Sequence, residues 1–476
     1  MNKLAQTLTL PLMCAALASC AGKGTKTAST QAVPTGYSAP RSAGSFKLMP
    51  FKEVVLENGL KIIYIRDNSL PRLSLTVLFK TGNMQEPKDL AGLNAMTAYL
   101  LEQGTQTRDA MKIADEFGQM GTSLDVSPGF DVTTIYADAL TSNSNQLLQL
   151  FADVLMNPAF KDAEINRLRS QIMASLKKKV DNPSAFADEQ MDQFLYGDHP
   201  YGRDANGTPE GLRTLRKQDI IKHYLTFYRP NNATMAVVGQ FDDEFEKQLQ
   251  ETMGKWTKRT IPTLTATPAP TIESTQVKLI VKKGLQQTQI RVSQLGIQRK
   301  DDDFIPLRMA NESLGGSFGS RLNQKVRDDL GLTYSIYSGF DSRKDRGSFD
   351  ISTFTKNETA VKALDETLKV VKEYVEGGST EQEAVAARNQ LVGQFPRAIE
   401  TSDRLAYNLL VLDYYDISYE YLTDYISNVN KIKQKDANNA MKRHVDPTKF
   451  KVVVYGNESI IPQFKDYKPE IVRLAK

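Results

Sequence analysis

The chain has 476 residues, 40% of them hydrophobic and 24% charged, with 29 Gly and 20 Pro. These proportions exclude a disordered, collagen-like or disulfide-scaffold protein and leave length for two or three domains, each with its own core. A net charge of +4 spread over this length excludes the dense basic surface of a nucleic-acid binder, so no nucleic-acid partner is expected. Both cysteines, Cys14 and Cys20, precede Ala21, so the folded body has no thiol, disulfide or Cys metal ligand. It has only three histidines, His199, His223 and His444.

Residues 1–20 place Lys3 before an apolar run ending in small residues, the layout of a secretory signal and too short for a spanning helix. The end of that run, Leu17-Ala18-Ser19-Cys20, resembles a bacterial lipobox, which makes Cys20 the expected lipidation site. Residues 21–45 are rich in Gly, Ser, Thr, Ala and Pro, bury almost nothing, and read as a flexible tether. The body then opens with strands. Val54 and Leu56, then Asn58-Gly59, then Leu60, Ile62 and Tyr64 predict a hairpin with a two-residue turn. Leu73, Leu75, Val77 and Phe79 alternate as a half-buried strand. Helical patterns follow over 88–103, 109–120, 143–156 and 162–180, and a strand covers 234–239.

Residues 259–275 are rich in Thr and Pro, show neither helix nor strand period, and divide the body into 46–258 and 276–476. The two parts repeat an order of elements. Residues 132–155 and 349–371 both read strand, polar break, helix; RPNNATMAVVGQF (229–241) is echoed by DPTKFKVVVYGN (446–457). A duplicated α+β domain is expected. No glycine-rich dinucleotide or P-loop motif is present.

A zinc hydrolase usually carries two His one helical turn apart plus an acid, and none of the three His has such a neighbour. Each reads better as structural or surface. Gly315-Gly316-Ser317-Phe318-Gly319 matches Gly-x-Ser-x-Gly, but the preceding 304–314 reads as a helix where a nucleophile elbow needs a strand. A Gly-rich turn between helices is the better reading. Lys177–Lys179 and Asp301–Asp303 read as solvated surface, and the single Trp256 as a packing anchor.

Several motifs carry a family likeness. Leu70-Pro71, Gly82-Asn83 and GLNAMTAYLLEQGT (92–105), with DNPSAF (181–186), HPYGRDANGTPEGLRTL (199–215) and YRPNNATMAVVGQF (228–241), resemble the pitrilysin/insulinase-type zinc metallopeptidases. GGSFGSRLNQKVRDDLGLTYSIYS (315–338) extends the resemblance, which covers the whole of 46–476. It implies an α+β fold of two homologous domains, each a mixed, mainly antiparallel sheet with helices packed on it, like the mitochondrial processing peptidase. It also implies the short-chain branch, whose subunits pair into a clamshell enclosing a peptide.

Cleaving members of the family carry His-x-x-Glu-His on the helix that follows Gly92. Here the resemblance places Ala95, Ala98 and Tyr99 at those positions, and the third ligand, a Glu, falls near 174–176, which are Ala174, Ser175 and Leu176. No acid lies between Glu164 and Asp181. Ala offers no ligand atom, and a phenol of pKa about 10 is a poor replacement for neutral imidazole. This chain is therefore expected to hold no zinc and no other cofactor. The family's Arg and Tyr, which contact the scissile carbonyl from the second half of the clamshell, match Arg327 and Tyr334. Phe318, Leu322, Val326 and Leu330 predict a helix before them, with Gly331 as its cap and a strand starting near Thr333. The spacing by itself also fits an Arg on the helix dipole with a strand Tyr packed beside it.

The resemblance thus implies the non-zinc subunit of a heterodimeric metallopeptidase, with zinc in the partner and Arg327 and Tyr334 acting in trans on a bound peptide. The other reading is a structural or peptide-binding lipoprotein of the same fold. The expected location is the bacterial cell envelope. Ala21 after Cys20 favours a lipid anchor on the periplasmic face of the outer membrane.

Overall fold

The computed structural model describes residues 47–263 and 267–474. The signal, Cys20 and the tether lie outside them. Strands β1 (Lys52–Val55), β2 (Lys61–Arg66), β3 (Arg72–Phe79), β4 (Asp125–Pro128), β5 (Thr133–Leu140) and β6 (Ala233–Gly239) form one sheet, ordered β1-β2-β6-β3-β5-β4. Strands β7 (Gln276–Val281), β8 (Gln287–Leu295), β9 (Ile336–Asp341), β10 (Ser348–Lys356), β11 (Lys451–Gly456) and β12 (Glu470–Arg473) form a second, ordered β12-β7-β11-β8-β10-β9. The inner order recurs: β2-β6-β3-β5-β4 matches β7-β11-β8-β10-β9, with one parallel pair followed by three antiparallel ones in each. The outermost strands differ, because β1 runs antiparallel to β2 whereas β12 runs parallel to β7.

Helices α1 (Leu93–Leu100), α2 (Ala110–Gln119), α3 (Ser144–Met156), α4 (Asp162–Lys179), α5 (Pro183–Tyr196), α6 (Pro209–Thr214), α7 (Lys217–Phe227) and α8 (Asp243–Gly254) belong to the first half. Helices α9 (Phe304–Asn311), α10 (Ala360–Gly377), α11 (Glu381–Ala398), α12 (Ser402–Tyr414), α13 (Glu420–Lys431) and α14 (Gln434–His444) belong to the second. Among the described residues no helix is long and apolar enough to cross a membrane.

Alternation sets which face each strand buries. Leu73, Leu75, Val77 and Phe79 join Ile62, Ile135 and Met235 beneath the first half's own helices. The opposite face, with Ile63, Ile65, Leu78 and Ala236, shares a core with Leu405 and Leu409 of α12, a helix of the second half. The exchange is reciprocal: Ala187, Met191 and Leu195 of α5 pack with Ile280, Val453 and Tyr455 of the second sheet. An arginine latches each crossing helix. Arg72 of β3 pairs with Asp403 of α12 at 2.6 Å, and Arg291 of β8 pairs with Asp188 of α5 and donates to Ser184 Oγ at 2.8 Å.

Four expectations need correction. The hairpin at Asn58-Gly59 forms with a longer loop: Gly59, at φ +85°, donates to Leu56 O, and Leu56 donates to Leu60 O. Asn58 points its amide at Met253 O and Trp256 O instead, tying the loop to the end of α8. The pattern over 88–103 is broken into a 3₁₀ turn, α1 and a second 3₁₀ turn, because Gly92 at φ +102° starts α1 afresh. The helix expected from 318 has π geometry over Asn323–Asp329, and β9 begins at Ile336, not near Thr333. Asp303 is not simply solvated surface, since it accepts from Arg443 and meets His444 Nε2 at 2.8 Å; Lys179 likewise pairs with Asp204. Trp256 is a packing anchor, edge-on to Phe79 at 5.7 Å. Residues 259–275 carry no helix or strand among the described residues.

Candidate functional site

Helix α1 carries the positions where the family's metal ligands fall. Gly92 starts it because a Cβ there would meet Asn206 O and a Leu212 methyl at 2.9 Å, and because its φ is positive. Glu86 caps the helix: Oε1 accepts from Asn94 N at 2.6 Å and Oε2 from Gly92 N at 3.0 Å. Burial still pushes this carboxyl up to about 8, against those two donors and the nearby Arg203. Ala95 and Ala98 are fully buried. Tyr99 is half-buried and donates to Asn206 Oδ1 at 3.3 Å; burial, then Glu102, Asp204 and Asp125, raise its phenol and keep it protonated.

On α4, Ala174 and Ser175 are exposed, and Leu176 packs against the same core as Tyr99. Two methyl groups, a protonated phenol and an acid-free stretch of α4 do not fit a zinc ion. Glu102 lies close by, but Gln103 donates to it and burial raises it. Among the described residues the one group of His, Asp and Glu ligand atoms within mutual reach is Asp301, Asp303 and His444 in the second half. There Arg443 already donates to both oxygens of Asp303, at 2.6 and 2.8 Å.

His199 is buried, accepts from Tyr201 N at 3.1 Å and faces Asp345 at 3.3 Å, a structural role. His223 is buried on α7, with Nε2 3.3 Å from Asn94 Oδ1; burial pulls its imidazole down to about 3. Ser317 is no nucleophile. It follows the π-helical Glu312–Gly316 and donates to Glu312 O at 2.9 Å.

Arg327 and Tyr334 flank a sharp break. Gly331 at φ +60° donates to Arg327 O, and Leu332 donates to Val326 O, closing the π-helical stretch. Asn323 holds it to β9 by donating to Ile336 O at 2.9 Å. Leu332 and Thr333 turn inward, which leaves Tyr334 81% exposed. Arg327 stacks on Phe318, 4.5 Å from the ring centroid, and lies 3.4 Å from Asp328. Phe318 is itself 74% exposed, an unusual position for so large an apolar ring. No hydrogen bond joins Arg327 to Tyr334 among the described residues; Tyr334 is presented outward and Arg327 is partly exposed. Sequence reasoning missed the Glu86 cap and the Phe318 stack, for which the only signals were an acid six residues before Gly92 and an aromatic one residue after Ser317.

Known proteins are similar to this chain in sequence and fold. The model for insulinase, peptidase family M16, matches residues 61–208, and the model for the peptidase M16 inactive domain matches residues 214–391. A Bacillus subtilis protein named "Uncharacterized zinc protease YmxG" is 25% identical, over 74% of this chain and 85% of its own length. A Helicobacter pylori protein named "Non-peptidase homolog YmxG" is 24% identical, over 83% of this chain and 92% of its own. The crystal structure of a peptidase M16 inactive domain from Pseudomonas fluorescens superposes with a TM-score of 0.78 at 24% identity, covering 86% of this chain and 98% of that one. A protease from Helicobacter pylori superposes with a TM-score of 0.79 at 20% identity, covering 86% of this chain and all of that one. With both family models matched in order along two sheets that repeat each other, and with α1 bare of ligands, this chain belongs to peptidase family M16 as an inactive-type homologue of its zinc proteases.

Proposed function

We propose that this protein is the non-zinc subunit of a two-chain M16 peptidase, closing the peptide chamber and lending Arg327 and Tyr334 to a zinc site on its partner. The observation that carries the reading is a contrast within one chain. The zinc-motif positions on α1 hold two buried methyl groups and a half-buried phenol, while Tyr334 is exposed and Arg327 is partly exposed, with no hydrogen bond between those two. During attack on a peptide carbonyl, negative charge collects on its oxygen. Guanidinium and phenol donors at that oxygen, away from bulk water, bind it more tightly than the ground state. The lipobox adds anchorage by Cys20 in the cell envelope, with Ala21 favouring the outer membrane.

The test starts by isolating the full chain from its native envelope and identifying an associated protein with His-x-x-Glu-His. Losing one such donor typically costs about 100- to 1,000-fold in turnover. Tyr334→Phe or Arg327→Ala should cost that much in the pair, with assembly and the partner's zinc unchanged. Lys at 327 should rescue poorly, because an ammonium lacks the planar fork of donors. Parental turnover in both variants would leave the second reading, a structural or peptide-binding lipoprotein.

A further inference from the structure

Beneath the N-terminus of α1, on its α7 side, a cavity of about 400 Å³ opens between the two helices. Leu90, Leu93 and Phe227 form its apolar wall, and Pro262, from the segment joining the two halves, stands at its edge. Two polar side chains that are more than nine-tenths buried line it, Glu86 and His223. No step proposed for Arg327 and Tyr334 uses either.

The state of His223 follows from a chain of forced donors. Thr133 Oγ1 donates to Thr81 O at 3.0 Å, a carbonyl that can only accept. Thr133 Oγ1 therefore accepts from Asn94 Nδ2, at 2.9 Å, which fixes the amide orientation. Asn94 Oδ1 accepts from Tyr228 Oη at 3.0 Å and faces His223 Nε2 at 3.3 Å, so Nε2 carries the proton. His223 Nδ1 is left as a bare acceptor at the cavity wall, with no hydrogen bond from any described residue. Thr226 Oγ1 spends its proton on Lys222 O at 2.7 Å and shows the cavity only lone pairs. Asp219 adds a carboxylate that already accepts from Arg216 N. Lys222 stands exposed, at the rim.

The pocket's side-chain amide and ammonium donors, Gln85 and Lys222, are less buried than His223, so an occupant seated against His223 and the apolar wall must bring its own donor to Nδ1. We propose that this cavity is a binding site for a small primary amine with an apolar body, the amine donating to His223 Nδ1 and Glu86 and the body lying against Leu90, Leu93 and Phe227. Such a group supplies several N–H donors from one atom, and it can take the proton that burial keeps on Glu86 in the free protein, leaving an ammonium balanced by the carboxylate.

Calorimetry on the purified full chain with three probes of one shape tests this: 2-phenylethylamine, 2-phenylethanol and 3-phenylpropanoate. The amine should bind saturably at one site per chain, the alcohol about tenfold or more weakly, and the carboxylate not at all. His223→Gln keeps a donor for Asn94 but removes Nδ1, and should weaken the amine about tenfold. Leu90→Trp fills the cavity and should abolish binding. Because the protein has three histidines, ¹⁵N-imidazole spectra resolve His223 directly, and the amine should shift Nδ1 while leaving His444 unmoved. This readout holds even where a variant folds poorly. Absent amine binding, an alcohol that binds equally well, or an unshifted Nδ1 under saturating amine would each overturn the proposal.

Discussion

Glu86 sets two strong effects against each other. Two backbone N–H groups at the start of α1 hold its carboxyl and favour the anion, yet the side chain is only 6% exposed, and burial carries it from 4.5 up to about 8. Between those values the folded protein keeps a proton that the unfolded chain has released. Stability contributed by Glu86 is therefore complete below about pH 4.5 and is lost as pH rises to 8, at about 1.4 kcal/mol per pH unit and about 5 kcal/mol in all. Glu86→Gln removes the titration but turns an amide N–H₂ toward one of the two backbone donors, at a cost of about 1–3 kcal/mol. Wild type should be the more stable by that amount below about pH 4.5, and by slightly less at pH 5. The order should invert between about pH 5 and 7, with the Gln variant ahead by about 2–4 kcal/mol at pH 9. Urea unfolding of both proteins from pH 5 to 9 measures the difference, and groups common to both cancel. A pH-independent gap, or a wild type that gains on the variant as pH rises, would show that the helix donors outweigh burial and that the reasoning is wrong.

Much of the fold was legible because it rests on local pattern. The alternation of Leu73 to Phe79 and the echoed Asn-rich and Asp-Pro turns before β6 and β11 mark strands and their repeat without any knowledge of packing. The crossing helices were not legible. The apolar face of α5 declares that Ala187, Met191 and Leu195 need cover, but nothing local says that β7 and β11 of the other half supply it. The π geometry at Asn323–Asp329 escaped for a related reason. A repeat of four residues, as at Leu322, Val326 and Leu330, falls between i→i+4 and i→i+5 bonding and fits either. The empty metal positions were readable because ligand chemistry belongs to the residue type: Ala95 and Ala98 offer no ligand atom in any conformation. Glu86 shows the opposite case. In the run Met84-Gln-Glu-Pro-Lys-Asp it reads as surface charge, and only the tertiary position of Gly92 makes it a buried cap.

The remaining predictions concern metal, anchor and latches. Elemental analysis of the purified chain after dialysis should find far less than one zinc, and the chain alone should cleave no peptide; stoichiometric zinc with chelator-sensitive hydrolysis would contradict the reading of α1. Cys20→Ser should abolish acyl labelling and free the body from membranes on fractionation, whereas an unlabelled parent that stays membrane-bound would discard the lipidation of Cys20. The two latches should differ in strength although they hold equivalent helices. Arg291 is 6% exposed and donates to Ile290 O and Thr353 O as well as to α5, so Arg291→Ala strands buried carbonyls and should cost about 2–3 kcal/mol in urea unfolding. Arg72 and Asp403 are each about one-third exposed, so water screens the pair and takes over its hydrogen bonds, and Arg72→Ala should cost about 1 kcal/mol or less. Losses near zero in both variants would mean that the crossing helices are held by their apolar faces alone and that the arginines merely decorate the contact.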